Sequence, residues 1–368
     1  MTAKTRSGLW RALVTRRAVV AGGLAALGLL TGGLQTGLAQ SDDFFAGKTI
    51  DLYIGNEAGA SYDLYARLMA KHIVRFLPGH PGIVPRNMPG AGGMLAMNYL
   101  YDVAKRDGTA WGVVDRGLAS EPLLYGKDSK AAFKTTLDFN WVGSLNTEIG
   151  VAAVWHTTGI TSWEQIRTRP VIVPMQGAQG GVGARALNRF LGTKFEQVCC
   201  YAGDGSQNLA MERGEVEGRV GWSWSSLKLT HTDWLESGKI KLLMQVGLQK
   251  NPEIPADVPL VVDVAPTEKD RKALSIIFSN QSMGRPVLMP PGVPAARVAV
   301  IRRAFMDMVK DRDFLADAKK QNLEITDPKS GEEIQQLLKE LYGTPPDVVL
   351  AAQAAMKEGE SKAQGGTK

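Results

Sequence analysis

The chain has 368 residues, with 43 Lys and Arg against 37 Asp and Glu and a formal net charge of +6 at pH 7. Five of the positive charges, Lys4, Arg6, Arg11, Arg16 and Arg17, precede the first acidic residue, and the remainder carries only about +1, so the apparent basicity is no argument for a nucleic-acid partner. His72, His80, His156 and His231 are scattered without metal-ligand spacing, and two adjacent cysteines do not make a disulfide framework.

The first element is an export signal. Thr15 precedes the pair Arg16-Arg17, and a mildly apolar run from Ala18 to about Leu34 follows, diluted by Gly22, Gly23, Gly28, Gly32 and Gly33. This pattern predicts a twin-arginine signal peptide over 1–39, cleaved after Ala39, and a periplasmic destination. The run is short and weakly apolar for a membrane span, and an uncleaved anchor helix is the alternative reading. With Cys199 and Cys200 as the only cysteines, a lipoprotein is excluded.

Beyond the signal, strand and helix patterns alternate. Ile50, Leu52 and Ile54 recur at period two; Leu64, Leu68, Met69, Ile73 and Leu77 then recur at helical spacing from Asp63 onward. Further strand-like runs lie at Ala110 to Val114, Val171 to Val173, Phe195 to Cys200, Val216 to Val220 and Ile240 to Val246. Cys199 and Cys200 end one of these runs and read as structural, with a vicinal disulfide as the other option. Val298, Ile301, Phe305 and Met308 form one amphipathic stripe, and Ile334, Leu337, Leu338 and Leu341 a second; both predict core-packing helices.

Such alternation predicts an α/β chain with sheets covered by helices on both faces. No repeat or long linker is visible, so two domains would be joined by short crossings around Val142 to Val154 and Arg285 to Met289, leaving a cleft. The expected division is 44–147 with 285–357 as a first, discontinuous domain and 148–284 as a second. The polar, glycine-rich tail 358–368 is expected to be disordered.

No nucleophile elbow, phosphate loop or dinucleotide fingerprint is present, so neither an enzyme nor a cofactor is expected. The run Pro89 to Gly93 resembles a phosphate cradle in composition only and reads as a tight turn opening a helix at Met94. Two small-residue loops each join a strand to a helix, one from Gly55 to Ser61 and the other from Gln176 to Gly183. Glycine there lets a ligand approach the backbone, and the free N–H groups of a first helical turn favour an anion. On opposite domains, the two loops would hold the two ends of a small acid.

At this point several motifs together carry a resemblance. FFAGKTIDLYIG followed by DLYARLMAKHI, NMPGAGG, DFNWVGS, QGAQGGVG, YAGDGSQNLAMERGEVEGR, SGKIKLLMQ and MPPGVPAARV occur in an order that resembles the substrate-binding receptors of tripartite tricarboxylate transporters, the Bug family. The resemblance spans nearly the whole chain after the signal. It implies a two-domain periplasmic binding protein fold of the type II, Venus-flytrap kind, with the ligand cleft between the domains. It also implies capture of a small organic acid, commonly a carboxylate, for delivery to membrane permease subunits. The chain is taken as a monomer.

Carried over by position, Ala58, Gly59, Ala60 and Ser61 would form one jaw, and Gly177, Ala178, Gly180, Gly181, Val182 and Gly183 the other. Asp63 matches an acidic residue at the start of the family's first helix; it either contacts the ligand or stabilises the helix start. Ser206 is a polar candidate at a strand-to-helix junction or a helix cap. Trp222 and Ser223, in the run Gly221 to Ser226, either wall the cleft or pack the second domain. Glu57 departs from the family's first loop and either points to solvent or marks a ligand that is neutral, zwitterionic or cationic. A periplasmic sensor docking on a signalling receptor is the alternative to transport.

Overall fold

The computed structural model describes residues 44–175, 181–199, 201 and 204–357; the expected signal peptide 1–39 and the tail 358–368 lie outside the described residues. Eleven strands are found among the described residues: β1 (Thr49–Ile54), β2 (Gly82–Asn87), β3 (Ala110–Val113), β4 (Asn140–Ser144), β5 (Gly150–Trp155), β6 (Val171–Pro174), β7 (Phe195–Val198), β8 (Gly218–Ser223), β9 (Ile240–Val246), β10 (Pro286–Met289) and β11 (Lys329–Ser330). The helices are α1 (Ser61–Ile73), α2 (Met94–Asp102), α3 (Glu121–Tyr125), α4 (Val182–Leu191), α5 (Asp204–Glu212), α6 (Trp224–Glu236), α7 (Glu268–Phe278), α8 (Ala295–Met308), α9 (Arg312–Lys320), α10 (Gly331–Tyr342) and α11 (Pro346–Lys357).

The first sheet has six strands in the order β11-β4-β10-β3-β1-β2. Period two in β1 sends Ile50, Leu52 and Ile54 to one face, all fully buried, where Leu68, Met69 and Ile73 of α1 and Val298, Ile301, Phe305 and Met308 of α8 meet them. Tyr53 points to the other face, which α2 and α10 cover. Both sequence stripes therefore face cores as expected. β2 was not anticipated because Pro85 interrupts it, and its place at the sheet edge explains how proline is tolerated there. The second group of strands comprises the sheet β8-β5-β9, antiparallel throughout, and the parallel pair β6-β7. β8 runs Gly218–Ser223, two residues later than the apolar run predicted at its start.

Two crossings join these regions, 145–149 and 279–285, and they hydrogen-bond to one another. Leu145 N–H donates to Arg285 O at 3.2 Å, Gly284 N–H to Asn146 O at 2.9 Å and Glu148 N–H to Gln281 O at 2.8 Å. The chain thus leaves the first sheet and returns to it through a paired two-stranded neck. The last helix, α11, packs against α7 and α4 from the second region and α3 from the first.

Candidate functional site

Strand direction gathers the loops. β1 runs parallel to β2 and β3 with Ile54 opposite Asn87 and Val113, so the chain segments after all three strands leave the same edge. β4 ends, and β10 begins, at that edge too, with Ser144 opposite Pro286 and Val113 opposite Val287. The neck therefore emerges beside the three loops. On the second region, Gly150 pairs with both Ser223 and Val246, so the ends of β8 and β9 face the neck. Carboxyl ends of strands around a crossover are where open α/β sheets take ligands.

The loop after β1 is locked from within. Asp63, whose side chain is 2 % exposed, accepts from Gly59 N–H at 2.8 Å, Arg67 Nε at 2.9 Å and Asn87 Nδ2 at 2.8 Å. Asn87 Nδ2 also donates to Asn56 O at 2.9 Å, while Asn87 Oδ1 accepts from Arg67 Nη2 at 2.9 Å. Burial alone would raise the Asp63 pKa; the donors Arg67, Gly59 and Asn87 outweigh it and hold the carboxyl below its usual range. Its oxygens are occupied by protein groups, so Asp63 acts as a strut for the loop. Ala58, Gly59 and Ser61 are exposed and Ala60 half-buried, and no side chain caps α1 at Ala60. The first-turn amides of α1 are left facing the edge. Glu57 is exposed.

The Pro89–Gly93 run closes on this loop. A Cβ at Gly55 would lie 2.9 Å from Gly93 Cα, so two glycine backbones meet where side chains would hold them apart. α2 then begins at Met94, as a turn opening a helix.

Of the second loop, Gly177, Ala178 and Gly180 lie outside the described residues. Gly181 stands at the N-cap of α4 in the left-handed region (φ 79°), and its carbonyl accepts from Gln197 Nε2 at 2.7 Å. Val182 and Gly183 form the uncapped first turn of α4, and Gly183 packs on β8, where a Cβ would stand 3.1 Å from Val220 Cγ1. Ser206 is exposed in the first turn of α5. Trp222 is buried, with the Arg219 guanidinium 4.3 Å from its ring centre and His231 and Trp234 edge-on to it. That is packing of the second region, joined to a buried polar network in which Arg219 Nη1 donates to Asn208 Oδ1 at 2.6 Å. Ser223 lies at the end of β8 with its Oγ 3.1 Å from Ser225 Oγ. Cys199 departs from the strand-packed reading: it is exposed just beyond β7 and disulfide-bonded, while Cys200 lies outside the described residues.

Three charged residues at this edge escaped the sequence reading. Arg285, at the end of the neck, donates through Nη2 to Ser61 Oγ at 3.0 Å and through Nη1 to Gly284 O at 2.8 Å, and stacks 4.6 Å from the Tyr62 ring centre and 4.9 Å from that of Tyr65. Arg116, in the turn after β3, donates its backbone N–H to Tyr62 OH at 3.1 Å. Neither arginine has a carboxylate within 4.0 Å among the described residues. Burial pushes the Tyr62 hydroxyl up to about 12, helped by Asp115 and opposed by Arg116 and Arg285. Glu148, in the neck, is buried and accepts from Ser225 Oγ at 3.0 Å on each oxygen. Charged residues immediately after, between and before strand patterns were the available signal, and a pattern search tuned to glycine passed over them.

Among the described residues, no group of three or more His, Cys, Asp or Glu side chains is placed to hold a metal ion, and no helix is long and apolar enough to cross a membrane.

No family model matches the chain, and no curated protein matches it in sequence. Solved structures do. A TctC solute-binding protein from Polaromonas superposes with a TM-score of 0.65 at 19 % identity, covering 83 % of this chain and 98 % of that one. MatC from Rhodopseudomonas palustris with bound malate gives 0.57 at 19 % identity, covering 84 % and 99 %. A second R. palustris protein, solved with adipate, gives 0.57 at 17 % identity, covering 83 % and 97 %. The chain therefore has the two-domain α/β fold of periplasmic solute-binding proteins.

Proposed function

We propose that this chain is an exported solute-binding receptor of the tripartite tricarboxylate transporter type, which closes on a small organic acid and presents it to membrane permease subunits. The lobes are 44–147 with 285–342, and 148–284, with the neck as hinge and α11 lying across both. The observation that carries the reading is the pair Arg116 and Arg285. At the uncapped start of α1, the Arg285 guanidinium stacks on the Tyr62 ring, while Arg116 bonds Tyr62 OH through its backbone N–H and its charge acts on that hydroxyl; neither side chain is matched by a carboxylate among the described residues. Two guanidinium groups and a helix start favour a carboxylate that the protein itself does not supply. The loop ending in Gly59, Ala60 and Ser61 forms the first jaw; Val182, Gly183 and Ser223 contribute the second, which would approach by rotation about the neck. Relatives of this fold solved with malate and with adipate carry ligands of the class that such a site would take.

A thermal-shift screen of the mature protein tests this. Small carboxylic acids are expected to raise the melting temperature in a concentration-dependent way, and neutral sugars of similar size are not. Arg116→Gln is expected to weaken the acid response by about tenfold or more, the value of a charge-assisted hydrogen bond. A response to sugars alone would refute the assignment.

A further inference from the structure

Glu148 is the only carboxylate in the neck segments 145–149 and 279–285, and it has no cation within 4.0 Å among the described residues. It is 5 % exposed, and a carboxylate withdrawn from water normally has a cation or several donors beside it. Here a single hydroxyl, that of Ser225, serves both oxygens. Amide oxygens without a donor accompany it along the neck: Oε1 of Gln281, whose carbonyl receives the Glu148 N–H, and Oδ1 of Asn146 and Asn280. Gln281 and Asn146 are 7 % and 1 % exposed. Buried acceptors left without donors are uncommon enough in native proteins to need an explanation.

The opposite condition holds at the start of α1. Among the described residues, Arg116 and Arg285 are cations with no carboxylate within 4.0 Å, and Arg285 Nε is a buried donor without an acceptor. Glu148 acts electrostatically on Arg116, yet no ion pair joins them. One side of the edge thus has surplus acceptors and a negative charge, and the other has surplus donors and positive charge. A plain dicarboxylate complements only the second side.

We propose that the ligand is a zwitterion: an amino acid whose ammonium group lies against Glu148 and the neck amide oxygens, while its carboxylate meets Arg116 and the first turn of α1. An ammonium brings three N–H donors and a full charge, whereas the hydroxyl of a hydroxy acid brings one donor and no charge. This assignment rests on the acid-binding reading above and narrows it to one ligand class.

The test uses matched probes on the mature protein by calorimetry: aspartate against malate and succinate, glutamate against glutarate, and leucine against 4-methylpentanoate. The amino acid of the best-binding set is expected to bind at least about tenfold more tightly than its partner without nitrogen. Glu148→Gln preserves an acceptor for Ser225; it is expected to weaken the amino acid and strengthen the deaminated partner, driving their ratio toward one. Arg116→Gln is expected to weaken both. Equal affinity within the set, malate binding as tightly as aspartate in the dicarboxylate set, or equal losses for both partners in Glu148→Gln would overturn the zwitterion while leaving acid binding intact. Binding of none of these acids would overturn both. The wild-type comparison decides the matter even where a variant fails to fold.

Discussion

The two jaws begin alike in sequence, each a small-residue loop running from a strand into a helix, but they are built differently. The first is held by a buried carboxylate with donors from the loop, from α1 and from β2: Gly59 N–H, Arg67 and Asn87 all converge on Asp63. In the second, the bond from Gln197 Nε2 goes to a backbone carbonyl, that of Gly181, and Gly183 is seated closely on β8. The first jaw is thus pre-organised, its ordering complete before ligand arrives. Pre-organisation lowers the entropy lost on binding, so the first jaw is suited to take the ligand before the lobes close.

The largest effect expected from breaking this contrast is at Asp63. Asp63→Ala would leave Gly59 N–H and Arg67 Nε without their acceptor and Asn87 Nδ2 with Asn56 O alone, a loss of about 3 kcal/mol in unfolding free energy. Urea titration would measure it, and a loss no greater than that of an exposed substitution would mean that the strut is dispensable. The same residue predicts a pH dependence. Its folded pKa lies below the unfolded value of 3.8, so the stability it contributes is present above about pH 4 and is lost as pH falls through the folded pKa. Asp63→Asn should flatten the acid limb of the stability profile by that contribution.

A smaller effect is expected at Gly181. Its φ of 79° is strained for any residue with a Cβ, and a Cβ there would stand 1.8 Å from Gln197 Nε2. Gly181→Ala should cost about 1–2 kcal/mol from the backbone conformation, together with the displaced Gln197 bond. Lost ligand response in such a variant would report collapse of the turn, so a bulky side chain at Gly181 is a poor probe of ligand contact. Gln197→Ala separates the two effects, because it removes the hydrogen bond and leaves the backbone free. It should cost about 1 kcal/mol, measured by the same titration.

Much of the fold was legible because its signals are local. Period two in β1, the stripes of α8 and α10, and the glycine loops before α1 and α4 each announce themselves within a dozen residues. The charged edge was not legible, since Arg116, Glu148 and Arg285 follow β3, follow β4 and precede β10, strands far apart in sequence that become neighbours only through the order β4-β10-β3. Trp222 shows the converse limit. An aromatic between a glycine and a serine reads equally as cleft wall or core, and only the guanidinium stacked on its ring, with His231 and Trp234 edge-on to it, reveals the packing. Asp63 was ambiguous for a similar reason, because Asn87, which completes its shell, lies on the neighbouring strand β2.

The weakest contact that bears on the comparison is the ion pair between Lys228 of α6 and Glu324, 3.3 Å apart, which links the second region to the segment between α9 and β11 in the first. Lys228 also meets Glu253 at 2.5 Å within its own region, and both glutamates are more than a third exposed. Water and salt screen such pairs, and the second glutamate retains the lysine when the first is removed. Glu324→Gln should therefore change unfolding free energy by less than about 0.5 kcal/mol, and the difference should vanish in about 1 M salt, where the Debye length falls to about 3 Å. A cost comparable to that of Asp63→Ala would reverse the comparison. It would mean that the arrangement of the two regions is fixed by charge across their boundary, and that the hydrogen-bonded neck and α11 contribute less to it than their contacts imply.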